Sequence, residues 1–170
     1  MNESPSASRS EGRDGYTVSS DRARLDVDAI HAFLTRCYWS TGIPRETVAR
    51  ALAHSLGFGL YAPDGAQVGF VRVLTDSATF AYLCDVYVLE AHRGRGLGEW
   101  LIAFVLADPA LADLRRICLT TRDAHGLYEK FGFAVPKWAN AFMEIARPDI
   151  YLRGRAPGPD PADEAALPAN

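Results

Sequence analysis

The sequence predicts a mixed α/β domain, and three features of its pattern lead to this prediction. Strand-like and helix-like segments alternate along the chain, as they do in domains whose helices pack on a sheet. Residues 80–89 (FAYLCDVYVL) are almost continuously apolar and rich in β-forming residues, which is typical of a central strand buried on both faces. A glycine-rich turn at residues 93–98 follows this strand and opens an apolar helix. We therefore expect a helix-covered sheet with the glycine-rich turn near its centre.

The elements before the central strand follow from local signals. Asp26 can cap a helix, because apolar side chains recur at helical spacing after it, from Ile30 to Cys37. Pro44 stands where the first turn of a second helix tolerates proline, and residues 63–65 (PDG) form a hairpin turn. The expected segments are a strand at 16–20, helices after Asp26 and Pro44, and strands at 56–62 and 67–75.

The elements after the glycine-rich turn are predicted in the same way. The helix that opens there ends before Pro109. Residues 117–121 have the composition of another strand, and residues 124–131 that of a short helix. We expect one or two closing strands from Phe133 onward.

The composition of the chain indicates one folded domain between two tails. A length of 170 residues suits a single domain with a substantial core. Residues 1–14 are polar, and the C-terminal end is rich in proline, alanine and acidic residues, so neither end buries enough apolar surface to offset the entropy of ordering. We expect disordered tails at 1–14 and 153–170, and a folded domain at 15–152.

Charge and cysteine content exclude several function classes. The net charge of −3 and the absence of a long basic run argue against a nucleic-acid partner. No apolar run approaches the length of a membrane span, and no secretory signal is visible at the start, so we expect a cytoplasmic protein without a membrane partner. Cys37, Cys84 and Cys118 are far apart and lack metal-ligand spacing, which favours reduced thiols and no metal site.

The glycine-rich turn has the features of an anion site. A strand that ends in such a turn and opens a helix leaves backbone N–H groups unpaired at the positive end of the helix dipole. Arg93 and Arg95 add charge beside it. A Walker A loop would continue into Gly-Lys-Ser/Thr, and the G-x-G-x-G spacing differs from the dinucleotide fingerprint. Alone, the turn indicates either a phosphate site or merely a tight strand-to-helix connection.

Two segments together resemble the GNAT superfamily of N-acetyltransferases. Residues 88–101 (VLEAHRGRGLGEWL) are similar to its central Q/R-x-x-G-x-G/A motif, and residues 127–133 (LYEKFGF) to its second motif. The D-A-H-x-L-Y variant at residues 123–128 resembles small bacterial members in particular. The resemblance implies a GNAT fold, with a twisted, mostly antiparallel sheet of about six to seven strands splayed at the cofactor site and about four helices. It also implies acetyl-CoA as the cosubstrate.

The resemblance assigns the cofactor to two stretches of backbone. It implies that the pyrophosphate binds at the turn and that the pantetheine arm lies along the end of the central strand, where an amide also stabilises the thioester oxygen. Thr121 stands where the family often has an asparagine that contacts the arm, and His125 is either a cofactor contact or a helix-start residue bonded to backbone. The implied cofactor-binding residues are Val86, Tyr87, Val88, Arg93, Gly94, Arg95, Gly96, Leu97, Gly98, Thr121 and His125.

Two residues are candidates for proton transfer. The resemblance makes Tyr128 the general acid that protonates the leaving thiolate, since a phenol stays protonated at neutral pH. The alternative is a packed helix tyrosine. Asp85 is the one charged residue in the central strand, so it is either the base that accepts the amine's proton or the partner of an arginine. Cys84 beside it is interpreted as a core residue.

The acceptor site is expected at the loop between the first two helices. Tyr38 and Trp39 stand there as large aromatics suited to an apolar or cationic amine, or they simply cap the core. We expect direct transfer of an acetyl group to a primary amine of a small molecule or peptide, by a monomer or homodimer. The alternative functions are a non-catalytic acyl-CoA sensor or interaction module, and a nucleotide-binding domain of another fold.

Overall fold

The central sheet follows the order of the chain from one edge to the other. The computed structural model describes residues 8–153, and six strands and four α-helices form within them. The strands are β1 (Ser10–Arg13), β2 (Tyr16–Ser19), β3 (Leu56–Tyr61), β4 (Gln67–Thr75), β5 (Phe80–Val88) and β6 (Arg116–Cys118). The helices are α1 (Val27–Leu34), α2 (Arg45–Ala53), α3 (Leu97–Leu106) and α4 (His125–Glu129). Each neighbouring pair of strands is antiparallel except β5 and β6, which are parallel because α3 crosses over between them.

The first strand corrects the domain boundary expected at residue 15. Residues 10–13 form β1 and pair with β2 through a hairpin turn in which Asp14 and Gly15 both have left-handed φ values of 51° and 80°. Since β1 is an exposed edge strand, its polar composition is compatible with pairing. The expected tail is therefore wrong for residues 10–13, whereas residues 1–7 and 154–170 lie outside the described part of the chain.

Two apolar clusters cover the two faces of the sheet. The helix α3 packs on one face, where Leu101, Ile102 and Val105 are fully buried against strand residues. The helices α1 and α2 pack on the other face against Phe70 and Tyr87. The predicted cap of α1 is confirmed: Asp26 accepts hydrogen bonds from the amides of residues 28 and 29 at 3.0 and 2.9 Å.

The sheet opens between its last two strands. β6 pairs with β5 over only three residues, Phe80 to Tyr82, while β5 continues to Val88. The far half of β5 therefore presents one backbone edge without a strand partner. Its side chains are buried less completely than the apolar composition predicts, since Cys84, Asp85 and the ends of β5 are only partly covered. The prediction that β5 is buried on both faces is therefore wrong for these partly covered residues.

The C-terminal part departs most from the expected elements. The strand expected at 117–121 shortens to β6, and the helix expected at 124–131 shortens to α4. The closing strands expected from Phe133 are absent from residues 133–153, where one 3₁₀ turn forms at Ala139–Ala141. None of the helices in the described range is long and apolar enough to cross a membrane.

Candidate active site

The glycine-rich turn presents a row of free backbone amides. After β5, a 3₁₀ turn at Glu90–His92 leads to Gly94 and Gly96, whose left-handed φ values of 74° and 69° bend the chain into α3. Within residues 8–153, the amides of residues 94–99 donate to no protein acceptor. Six consecutive free N–H groups at a helix N-terminus make a concave anion site.

The two arginines of the turn have different surroundings. The amide of Arg93 closes the 3₁₀ turn onto the Glu90 carbonyl at 3.1 Å, and its Nε donates to the Val88 carbonyl at 2.9 Å. Arg93 therefore braces the turn against the end of β5. The side chain of Arg95 is exposed beside the free amides. The backbone part of the anion site begins at Gly94, one residue later than the resemblance implies.

The hairpin of β1 and β2 holds this turn in place, which the sequence analysis missed. Arg13 donates to the Arg95 carbonyl at 3.0 Å, and its guanidinium lies 5.0 Å from the ring centre of Trp100. Trp100 in turn donates from Nε1 to Glu11 at 2.9 Å. The sequence did contain a signal for this hairpin, because the Asp14-Gly15 dipeptide is a strong hairpin signature.

A recess lies beside the free amides and is partly cationic. Its volume is about 440 Å³, and its wall includes Arg13, Arg95, Gly96, Glu99 and Trp100. The guanidinium of Arg13 thus joins the Arg95 side chain next to the anion site. This arrangement suits a large ligand with several phosphates.

The exposed edge of β5 leads from this turn towards the helix α4. The side chain of Tyr87 points into the core, where its ring stacks on Phe33 with 3.8 Å between ring centres. Val86 and Val88 are half-buried against the other apolar cluster. The side chains of all three residues therefore stabilise the core.

The tyrosine of the second motif is buried but has a free hydroxyl. Tyr128 lies at the end of the main apolar cluster, edge-on to Phe133 with ring centres 5.8 Å apart. None of the described residues forms a hydrogen bond with its hydroxyl group. Burial raises the pKa of Tyr128 to about 12, so the phenol is protonated at neutral pH. The group can donate a proton to a ligand atom.

Two further predicted residues flank Tyr128. Thr121 Oγ1 accepts a hydrogen bond from the Ala124 amide at 3.0 Å and so fixes the start of α4. Its hydroxyl proton is still available for a ligand. His125 is exposed at the first position of α4.

Asp85 occupies a distorted position in β5. Its φ is 55°, at an irregularity in the pairing with β4. Its carboxylate accepts a hydrogen bond from Arg72 Nε at 2.5 Å, and the two side chains are only 10% and 16% exposed. Burial is the largest single influence on the pKa of Arg72 and lowers it, but the charge and hydrogen bond of Asp85, together with other nearby groups, outweigh burial and hold the pKa above its ordinary value. Asp85 therefore has the arginine partner that the sequence analysis gave as one of two alternatives.

The neighbouring cysteine is not an activated nucleophile. Burial and the Asp85 charge raise the pKa of Cys84 to about 12, so the thiol is protonated at neutral pH. Its Sγ lies 3.5 Å from the Arg72 carbonyl. The structure thus places Cys84 as a packed residue.

The loop between α1 and α2 separates the two aromatic candidates. Trp39 lines a pocket of about 160 Å³ that also includes Asp85 and Arg72. Tyr38 lies outside this pocket, and the guanidinium of Arg122 covers its ring at 3.9 Å. This contact joins the acceptor loop to the segment that precedes α4. Within residues 8–153 no three His, Cys, Asp or Glu side chains are grouped for a metal ion.

Comparison with known proteins shows which family this chain is similar to. A model described as "Acetyltransferase (GNAT) domain" matches residues 47–135. A proposed acetyltransferase of Gibberella zeae is 37% identical over 138 residues, which are 69% of this chain and 78% of that protein. The chain belongs to the GNAT acetyltransferase family. The residues matched by the family model include both motifs and the splayed pair of strands.

Solved structures of GNAT proteins share the fold. The crystal structure of a proposed GNAT acetyltransferase from Xanthomonas campestris has a TM-score of 0.78 and 47% identity, covering 82% of this chain and 99% of that one. A Clostridium acetobutylicum acetyltransferase, solved with acetyl-CoA, has a TM-score of 0.56 and 14% identity, covering 77% and 94%. The expected GNAT fold is confirmed, with six strands and four α-helices in the described part of the chain.

The residues present fit the acetyl-CoA that GNAT enzymes use. The six free amides and the neighbouring arginines match a diphosphate in charge and in hydrogen-bonding capacity. A Cβ at Gly96 would lie 3.4 Å from Arg13 Nη2. The glycine therefore keeps the space between the turn and the Arg13 guanidinium open to a ligand. The unpaired edge of β5 supplies backbone groups for an amide-containing arm.

Proposed function

We propose that the protein transfers an acetyl group from acetyl-CoA to a primary amine by direct attack, with Tyr128 as the general acid. The observation that carries this proposal is the pairing of an anion site with a free, protonated phenol. The six free amides lie at one end of the open edge of β5. Tyr128 lies on α4, which follows β6 at the other side of the splay.

The proposed binding mode uses the backbone first. The amides of residues 94–99 hold the pyrophosphate, and the side chains of Arg13 and Arg95 balance its charge. The edge of β5 near Val86 and Val88 binds the pantetheine arm, with Thr121 and His125 on the opposite side of the opening. An amide of this edge stabilises the negative charge that develops on the thioester oxygen.

The proposed chemistry needs two proton transfers. The amine nitrogen forms the new C–N bond as the C–S bond breaks, and the departing sulfur takes the proton of the Tyr128 hydroxyl. Asp85 accepts the proton released by the amine. This role is supported by the position of Asp85 in the pocket that Trp39 also lines, and by its Oδ1, which has no donor among the described residues while Arg72 bonds Oδ2. The phenolate recovers its proton from solvent after CoA leaves.

The test is release of free CoA thiol from acetyl-CoA in the presence of a panel of primary amines. We expect amine-dependent release and, in thermal-shift assays, stabilisation by CoA in preference to ATP or NAD. Tight CoA binding with no turnover on any amine would instead indicate the acyl-CoA sensor. Preference for ATP or NAD over CoA would contradict the proposed cofactor.

A further inference from the structure

The pocket beside Asp85 is small, and most of the side chains around it are apolar. It lies between α1, α2 and the sheet, and its volume is about 160 Å³. An apolar cavity of about 150 Å³ holds a benzene molecule. The space therefore suits one branched aliphatic or phenyl group. At its base lie buried core residues with almost no exposed surface, among them Ile30, Leu34, Val48 and Phe70, and its accessible part is lined by Trp39, Ala51 and Tyr151.

One ion pair supplies the charge in this apolar wall. Arg72 uses its Nε for Asp85, and its terminal nitrogens donate to no acceptor within residues 8–153. An arginine fork of this kind matches a carboxylate. The second carboxylate oxygen of Asp85 is also without a donor among the described residues, and it can accept from an ammonium group.

The balance of charge selects the kind of amine that fits. The pair of Arg72 and Asp85 is neutral as a whole and only 16% and 10% exposed. An amine with no acidic group would bring an unbalanced positive charge into this poorly solvated site, which is costly. A zwitterion adds no net charge, because its ammonium meets Asp85 while its carboxylate meets Arg72; the ammonium releases one proton to water before the neutral amine attacks.

On the basis of the proposed acetyl transfer, we propose that the acceptor is a free α-amino acid with an apolar side chain. The amine faces Asp85, the carboxylate faces the fork of Arg72, and the side chain fills the pocket beneath Trp39. Tyr151, which also lines this pocket and is half-buried, borders the bound side chain. Asp85 directly precedes Val86, so the amine lies next to the backbone edge assigned to the thioester.

Binding is tested first, without turnover. Calorimetry in the presence of CoA uses L-leucine and L-phenylalanine, with isoamylamine (no carboxylate), L-aspartate (no apolar side chain) and L-leucylglycine (a peptide N-terminus) as comparisons. We expect the two apolar amino acids to bind at least ten-fold more tightly than the other three. Equal binding of isoamylamine would overturn the assigned role of Arg72, and stronger binding of L-leucylglycine would favour a peptide acceptor.

Two matched variants test where the side chain binds. Ala51 lines the pocket from α2, whereas Ala53 is exposed on the same helix. Ala51→Leu fills part of the cavity, so we expect at least a ten-fold loss of affinity for L-leucine. Ala53→Leu adds the same group outside the pocket and leaves the affinity unchanged. Unaltered L-leucine binding in Ala51→Leu would overturn the proposal.

A third variant tests the carboxylate. Arg72→Gln should raise the KM for L-leucine at least ten-fold and lower the KM for isoamylamine, because the negative charge of Asp85 is then balanced by the amine's own positive charge. An equal change for both amines would mean that Arg72 has only a structural role. A lower KM for amines other than apolar amino acids than for L-leucine would contradict this inference alone. The absence of turnover on every amine would contradict the proposed function, and the calorimetry would still decide what the pocket binds.

Discussion

Tyr128 combines two properties that a general acid requires. Its ring is fixed by burial and by the contact with Phe133, and its hydroxyl is free to meet a ligand atom. Burial raises the pKa of this phenol to about 12. The phenol therefore keeps its proton at neutral pH and can donate it to the sulfur as the C–S bond breaks.

Replacing this phenol should affect chemistry and not binding. For Tyr128→Phe we expect kcat to fall roughly 10²-fold or more while the Kd for acetyl-CoA is nearly unchanged, because only the donated proton is lost. Steady-state kinetics and calorimetry measure the two quantities. Tyr61→Phe is the matched control, since Tyr61 is a buried tyrosine whose hydroxyl also lacks a partner among the described residues. Full activity in Tyr128→Phe would mean that another group is the acid.

At the scale of elements, the turn before α3 depends on its glycines. Gly96 has a φ of 69° and precedes the first residue of the helix. A valine there is strained and intrudes on the free amides, so we expect Gly96→Val to lose CoA binding. Gly65 is the control, because its φ is 87° in a hairpin turn where an added Cβ meets no atom within 4 Å. Gly65→Val should lose stability but bind CoA normally, and normal CoA affinity in Gly96→Val would contradict the anion site.

The edge strand β1 connects to both ends of α3 through two arginines. Arg13 bonds to the carbonyl of Arg95 at the N-terminal end, and Arg9, just before β1, bonds to that of Ala107 at the C-terminal end. Both guanidinium groups also lie over aromatic rings, 5.0 and 4.6 Å from their centres.

These two similar contacts provide a second matched pair of variants. We expect Arg13→Met to weaken CoA binding about ten-fold, because the guanidinium faces the recess of the anion site. Arg9→Met should lower the melting temperature about as much as Arg13→Met does, without changing the affinity for CoA. Calorimetry and thermal unfolding distinguish the two effects. Equal CoA affinity in both variants would restrict Arg13 to a structural role.

At the scale of the whole molecule, buried thiols and phenols make stability depend on alkaline pH. Burial raises the pKa of five such groups well above their ordinary values. The groups are Cys37, Tyr61, Cys84, Tyr87 and Tyr128. The folded protein therefore holds these protons at a pH where the unfolded chain has released them.

The sign of the effect follows from proton counting. Between about pH 9 and pH 12 the folded state binds more protons than the unfolded state, so the free energy of unfolding falls as pH rises. Below about pH 8 these groups are protonated in both the folded and the unfolded state, so they do not make the free energy of unfolding depend on pH. Urea denaturation at pH 7.5, 9 and 10.5 measures this trend, and we expect Tyr61→Phe to reduce its slope. A free energy of unfolding that is constant over this range would contradict the burial of these groups.

Local chemistry determined much of the fold. Asp26 and Pro44 mark helix starts because a side-chain acceptor and a fixed φ act within one turn. The glycine-rich turn was predicted for the same reason, since its conformation depends on its own residues. The absence of closing strands from residues 133–153 was not predictable locally, because strand formation depends on a partner edge that lies far along the chain.

By itself the sequence determined the α/β class, the position of the glycine-rich turn and the tyrosine of the second motif. These features depend on residue type and short spacing. Only the tertiary structure decided that Arg13 reaches that turn, that Asp85 pairs with Arg72, and that Trp39 lines the pocket while Tyr38 lies beneath Arg122. Each of these joins separate elements, and no local pattern encodes a contact between them because it depends on how the elements pack.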